Sequence, residues 1–139
     1  MRNTMTYALW TMQGLLAVVF LLAGGMKLAM PTEELAAAMT LPLPIAFVRL
    51  IGVCEVLGAL GLVLPGVVRI RTELTPLAAQ GLVIIMIGAV TTTVATMDAS
   101  MAILPAITGV LAAAVAYGRA RVAPLTDRRA APAALHPAI

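Results

Sequence analysis

Lys27 and Glu55 are ionisable side chains set inside long apolar runs. An unpaired charge near the centre of a bilayer costs at least about 2.5–3.5 kcal/mol, so each calls for a partner. Glu55 lies about ten residues into its run, roughly 15 Å below the run's start and close to the membrane midplane. Lys27 lies near the end of its own run. Helical side chains lean toward the N-terminus of their helix, so in an antiparallel pair the lysine leans inward and the glutamate outward, and their charged ends can meet. Arg49, six residues before Glu55, can snorkel to lipid phosphates or help neutralise the carboxylate.

Helical spacing gathers further polar groups. Gln13, Leu16, Phe20, Gly24 and Lys27 share one stripe, Gly52, Glu55, Ala59 and Leu62 a second, and Gln80, Ile84, Ile87 and Thr91 a third. If all three face inward, two amides, a lysine, a glutamate and threonines line one interior. Two readings of the Lys27–Glu55 pair stay open. It is a structural ion pair that fixes helix register, or it borders a cavity for a polar-headed lipophile such as a quinone, with Glu55 exchanging a proton. The candidate ligand contacts are Lys27, Glu55, Gln13, Arg49 and Gln80, of which the two glutamines also read as interhelical hydrogen bonds. Cys54 reads as a small packing residue, and Thr91, Thr92 and Thr93 as hydroxyls bonding back to helical carbonyls.

Composition narrows the chemistry. One cysteine excludes an intramolecular disulfide, a CxxC pair and a thiolate metal cluster. The single histidine, His136, sits in a polar tail, so a metal or haem site within the membrane lacks ligands and no covalent cofactor is expected. The net charge of +3 does not point to nucleic acid, because the arginines cluster at the ends of apolar runs and only 4% of residues are aromatic. No nucleophile–base constellation or phosphate-binding glycine loop appears, so an enzyme acting alone is the least supported class.

The elements that must position these residues follow from hydropathy. With 62% hydrophobic and 11% charged residues, the chain has lipid as its expected solvent. Four runs of spanning length are expected, at about residues 7–29, 45–64, 74–95 and 101–117. The first is too long, and carries Lys27 at the wrong place, to be a cleaved signal. A short helix from Thr32 through Met39 is expected on the outer surface between the first two spans, and Pro65 and Gly66 are expected to close the second. Pro76 and Pro105 fall in first helical turns, where they are tolerated. Arg2, Arg69, Arg71, Arg119, Arg121, Arg128 and Arg129 all fall on one side, which the positive-inside rule makes cytoplasmic. The expected protein is thus an all-α integral membrane four-helix bundle in the cell's plasma or inner membrane, with both termini cytoplasmic. Residues 1–121 form the transmembrane domain and 122–139 a flexible tail.

The stretches Leu22-Ala-Gly-Gly-Met-Lys-Leu28, Ile51-Gly-Val-Cys-Glu-Val-Leu-Gly-Ala-Leu-Gly-Leu62 and Gly88-Ala89, with the ending Ala116-Tyr-Gly-Arg-Ala-Arg121 and Pro124-Leu125, resemble the DoxX-like family of small four-helix membrane proteins. The likeness runs in order along the chain to about Leu125. It implies four membrane helices with Lys27 and Glu55 at the family's usual charged positions. It also implies association with quinone-linked oxidation of sulfur compounds or with membrane complexes handling oxidative stress, usually beside subunits that carry the chemistry. Relatives often show a Thr-His pair near the end of the third helix. Thr92 and Thr93 stand there in this chain, so proton transfer through that histidine is not available to it. The leading expectation is a non-catalytic component of a membrane redox system that binds a quinone-like lipophile, with redox subunits or a second copy as partners. A small-solute transporter or channel subunit, and a scaffold or assembly factor, are the alternatives.

Overall fold

A computed structural model describes residues 1–128 of the chain. Arg129 and His136, used in the charge and ligand arguments above, lie outside the described residues. Five α-helices account for most of the fold: α1 (Arg2–Ala29), α2 (Thr32–Ala38), α3 (Ile45–Val68), α4 (Leu74–Thr96) and α5 (Ile103–Tyr117). A 3₁₀ turn at Ala99–Ala102 leads into α5, and a π-turn at Gly118–Val122 follows it. No strand occurs among the described residues. Four segments, Arg2–Ala29, Ile45–Val68, Leu74–Thr96 and Ala99–Val122, are long and apolar enough to cross a membrane. They agree with the four expected spans.

The boundaries differ in three places. The fourth segment runs from Ala99 to Val122 because a 3₁₀ turn and a π-turn extend α5 at its two ends. Helix α1 starts at Arg2 rather than near Tyr7, and α3 runs through Pro65 to Val68 instead of closing there. Pro65 forfeits the one hydrogen bond its own nitrogen would have given, and its ring crowds the Gly61 carbonyl. A chain in lipid has no water to take over exposed backbone groups, so continuing the helix beyond the proline costs less than ending it. The helix ends at Arg69, whose φ of 55° is left-handed; Arg71 at 48° is also left-handed.

The helices pack in sequence, α1 on α3, α3 on α4 and α4 on α5, and α1 closes the bundle against α5. Leu16, Phe20, Ala59, Leu62, Leu82 and Val115 form the centre of the core. Large apolar side chains such as Leu15, Leu57, Ile84 and Val110 point outward, as expected where lipid, not water, covers the surface. Thr91, Thr92 and Thr93 donate to the carbonyls of Ile87, Gly88 and Ala89, as the sequence indicates.

The two ends of the bundle are closed differently. At the arginine-rich end, residues 125–128 lie against the α3–α4 loop. Arg128 N–H donates to the Arg69 carbonyl at 2.9 Å, Arg71 N–H to Asp127 Oδ2 at 3.1 Å, and the Thr72 hydroxyl to the Leu125 carbonyl at 3.1 Å. At the opposite end Asp98 caps the 3₁₀ turn by accepting from Ser100 N–H at 3.1 Å. That hydrogen bond holds its carboxyl below the ordinary carboxylate range.

Candidate functional site

Helices α1 and α3 approach closely where two glycines face each other. A Cβ placed on Gly24 would lie 2.6 Å from the Gly52 carbonyl oxygen, and one placed on Gly52 would lie 2.9 Å from Lys27 Cβ. Each glycine is followed three residues later by a charge, Lys27 on α1 and Glu55 on α3. Because residues three apart share a helix face, the close crossing carries the two charged side chains into reach. Lys27 Nζ donates to Glu55 Oε2 at 2.8 Å. The pair expected from helix lean and depth is therefore formed.

Its two members differ in surroundings. The Glu55 side chain is 4% exposed and the Lys27 side chain 30%. Among the described residues the Glu55 carboxylate accepts no hydrogen bond but that of Lys27. Beyond it, Lys27 Nζ has only a long 3.5 Å contact to the Ala23 carbonyl. An ammonium has three donors, so the lysine keeps capacity on the outer side of the helix pair.

Arg49 does not join this carboxylate. Its Nη1 donates to the carbonyls of Lys27 at 3.1 Å and Leu28 at 2.7 Å, and its Nη2 to that of Met30 at 3.0 Å. Those carbonyls are at the C-terminal end of α1, where backbone oxygens lack intrahelical donors and the helix dipole favours a cation. Arg49 is a cap for α1 and a tie from α3 to it. Changing it to alanine is expected to destabilise the bundle by about 1.5–3 kcal/mol, the range for hydrogen bonds to charged groups. Lysine in its place should recover only part of the loss because it lacks the planar fork. Unfolding in bicelles measures both.

Two further expectations need correction. Gln13 is fully buried, but it is not part of the Lys27–Glu55 site. Its amide nitrogen donates to the Leu62 carbonyl, and its Oε1 accepts from Arg119 Nε at 2.6 Å. Fourteen residues separate Gln13 from Lys27 on one helix, roughly 21 Å along the axis. The stripe of Gln80, Ile84, Ile87 and Thr91 faces out of the bundle, since all four are exposed; α4 buries Thr75, Ala79, Leu82 and Met86 instead. Gln80 therefore lines an open groove with Tyr117 and Arg121 at the surface of α4 and α5. Cys54 is also exposed, in the groove between α3 and α4. A helix that is apolar all round gives no periodic signal for its inward face, so the position of Gln80 does not mark the buried side of α4.

Arg119 is the residue that sequence reasoning missed. Among seven arginines of one sidedness it reads as a topology signal, yet its side chain is 97% buried, being only 3% exposed. Besides Gln13, it donates from Nη1 to the Ala123 carbonyl at 3.1 Å, and its guanidinium carbon lies 5.3 Å from the centre of the Trp10 ring. The π-turn makes this possible by closing Ala123 N–H onto the Gly118 carbonyl, which brings the chain back over the arginine. The only available sequence signal was the buried-face position of Gln13, which needed a donor for its amide oxygen. The polar interior is thus two clusters at opposite ends of α1 instead of one.

No curated protein and no solved structure matches the chain significantly. The profile of the DoxX-like family matches residues 11–115, a segment that holds Gln13, Lys27, Arg49, Glu55 and Gln80 and stops short of Arg119. With four apolar spans of membrane-crossing length and a family match over most of its length, the chain is a multi-pass membrane protein of the DoxX-like family.

Proposed function

We propose that the protein is a non-catalytic component of a membrane redox system, and that the Lys27–Glu55 pair receives the polar head of a quinone-like lipophile. The observation that carries this reading is the asymmetry of the pair. A buried carboxylate is balanced by a lysine that retains 30% exposure and unused donors. In lipid such an ammonium is a hydrogen-bond donor for a carbonyl arriving from the bilayer, and Glu55 behind it can hold or release a proton through Oε2. A buried ionisable pair reachable from lipid is the usual setting for such exchange. The quinone fits the donor set, because its oxygens need donors and its ring and tail need the apolar surface that α1 and α3 provide.

The chain has one cysteine and one histidine, so in this reading electrons reach the lipophile from a partner subunit. The arginine-rich end, facing the cytoplasm of a plasma or inner membrane by the positive-inside rule, offers a docking strip for an acidic partner. Glu55→Gln tests the site because it keeps shape and removes the charge. Binding of a short-chain quinone to the protein in nanodiscs is expected to weaken about tenfold, the scale of one charge-assisted hydrogen bond, with a much smaller change in unfolding. Unchanged binding, or parallel loss of binding and stability, would leave the pair as a register-fixing contact only.

A further inference from the structure

Helix α4 is the least covered of the four spans. Only 17% of its apolar stretch is buried inside the bundle, against 28–33% in the other three. It packs between α3 and α5, and those neighbours make room for it with glycines. A Cβ on Gly58 would lie 2.6 Å from Leu82, one on Gly61 2.7 Å from Ala78, and one on Gly109 3.0 Å from Met86. The glycines of α4 itself are different. Nothing lies within 4 Å of a Cβ added to Gly81 or Gly88, so no contact inside this chain accounts for two residues that a helix disfavours relative to alanine.

Both belong to a longer pattern. Leu77, Gly81, Ile84, Gly88, Thr91 and Ala95 follow one another at alternating steps of four and three residues, and all six are exposed. The small residues Gly81, Gly88 and Ala95 recur every seventh position. This is the spacing of a left-handed helix pair crossing near +20°, and the seam it draws is roughly 27 Å long, close to the hydrocarbon thickness of about 30 Å. In lipid, small residues so placed let two backbones approach.

A polar group marks the same face as unfinished. Gln80, next to Gly81 and roughly 9 Å beyond the start of α4, is exposed, and among the described residues its amide makes no hydrogen bond. Hydrocarbon offers that amide no partner.

We infer that α4 is a dimerisation helix whose seam is covered by α4 of a second copy of this chain. Copies inserted with one topology run parallel, so a two-fold axis lies along the membrane normal and each residue comes to the depth of its counterpart. The glycine layers of the two copies then meet at close backbone distance, with the layers of Leu77, Ile84 and Thr91 between and beside them. A carboxamide carries two donors and an acceptor, so the Gln80 side chains of two copies are complementary to each other. Another membrane helix would need small residues at the same spacing and an amide partner at the same depth; a second copy supplies both by symmetry. The seam is on a different helix from Lys27 and Glu55 and does not rest on the redox reading.

Two measurements on the full chain test this. In the first, Cys54→Ala removes the single cysteine, and one cysteine at a time is introduced at the exposed positions Leu15, Ile84, Thr91 and Val110, followed by mild oxidation in intact membranes. Covalent dimer is expected from Ile84→Cys and Thr91→Cys, because the seam brings paired Cα atoms within the roughly 7 Å that a disulfide allows, and not from Leu15→Cys on α1 or Val110→Cys on α5. In the second, donor- and acceptor-labelled protein is diluted with lipid in phosphatidylcholine liposomes, and energy transfer gives the dissociation constant of the dimer. Gly88→Leu fills space that is open in the single chain, so it should leave the fold as stable as the parent while weakening association at least tenfold. Gly25→Leu, at an equally open glycine of α1, should leave association unchanged. Gln80→Leu should weaken it about three- to tenfold, the range for hydrogen bonds between membrane helices. Equal cross-linking at all four positions, a protein that stays monomeric in liposomes, or Gly88→Leu associating as tightly as the parent would overturn the assignment and leave lipid or another protein on the seam.

Discussion

Lys27→Met is expected to destabilise the bundle by about 3–5 kcal/mol, the loss found when one member of a buried ion pair is removed. Glu55 is 3% exposed as a residue and has no second donor among the described residues, so without the ammonium its charge is left unbalanced in a medium where insertion alone costs about 2.5–3.5 kcal/mol. The partner's fate decides the size of the effect, and the double variant shows it. Lys27→Met with Glu55→Met removes the lysine and the stranded carboxylate together, and should return stability to within about 1 kcal/mol of the parent, since apolar replacements of buried pairs are often neutral. Unfolding of the three proteins in bicelles, read as a double-mutant cycle, measures this. A double variant as unstable as the single one would show that lysine packing, not charge, holds α1 to α3.

The second large effect is steric. Gly24→Ala is expected to cost about 2–3 kcal/mol, at the upper end for overpacking, because the added methyl meets a backbone carbonyl at 2.6 Å and Val56 Cγ2 at 2.9 Å. A carbonyl in a helix cannot swing aside as a side chain can, so the two helices must separate. Separation lengthens the Lys27–Glu55 contact as well. Gly25, its neighbour in the chain, has open space where a Cβ would go, and Gly25→Ala should be neutral or slightly stabilising, since alanine is the better helix former. Comparing the two variants isolates helix approach from helix propensity. Equal stability for both would mean that the crossing tolerates a wider spacing.

The parts of this fold legible in the sequence are those where polarity breaks an apolar background. Lys27 and Glu55 revealed their inward faces because a charge in lipid must be paired, and the glycines three residues before each marked the same faces. Four spans followed from run length alone. Helix α4 has no charge in its span, and in lipid the core and the surface are equally apolar, so Gln80 was an unsafe guide to its inward side. Arg49 reads from sequence as a partner for lipid phosphates or for Glu55, but its partners are carbonyls whose exposure depends on where α1 ends. Arg119 depended on a π-turn and on a residue 106 positions away, neither of which leaves a local pattern.

The hydrogen bonds from residues 125–128 to the α3–α4 loop also set an order of events. Arg69 and Arg71 are held in a backbone conformation that non-glycine residues adopt at a cost, and the bonds to Leu125, Asp127 and Arg128 come from chain that leaves the ribosome after every span. The α3–α4 hairpin therefore enters the membrane with only the turn's own backbone hydrogen bonds, such as Leu74 N–H to the Arg71 carbonyl, and the ties to the tail form only when translation has passed Arg128. A bulky fusion placed directly after that residue would act on the last step of assembly, and its damage would appear in a loop more than fifty residues upstream.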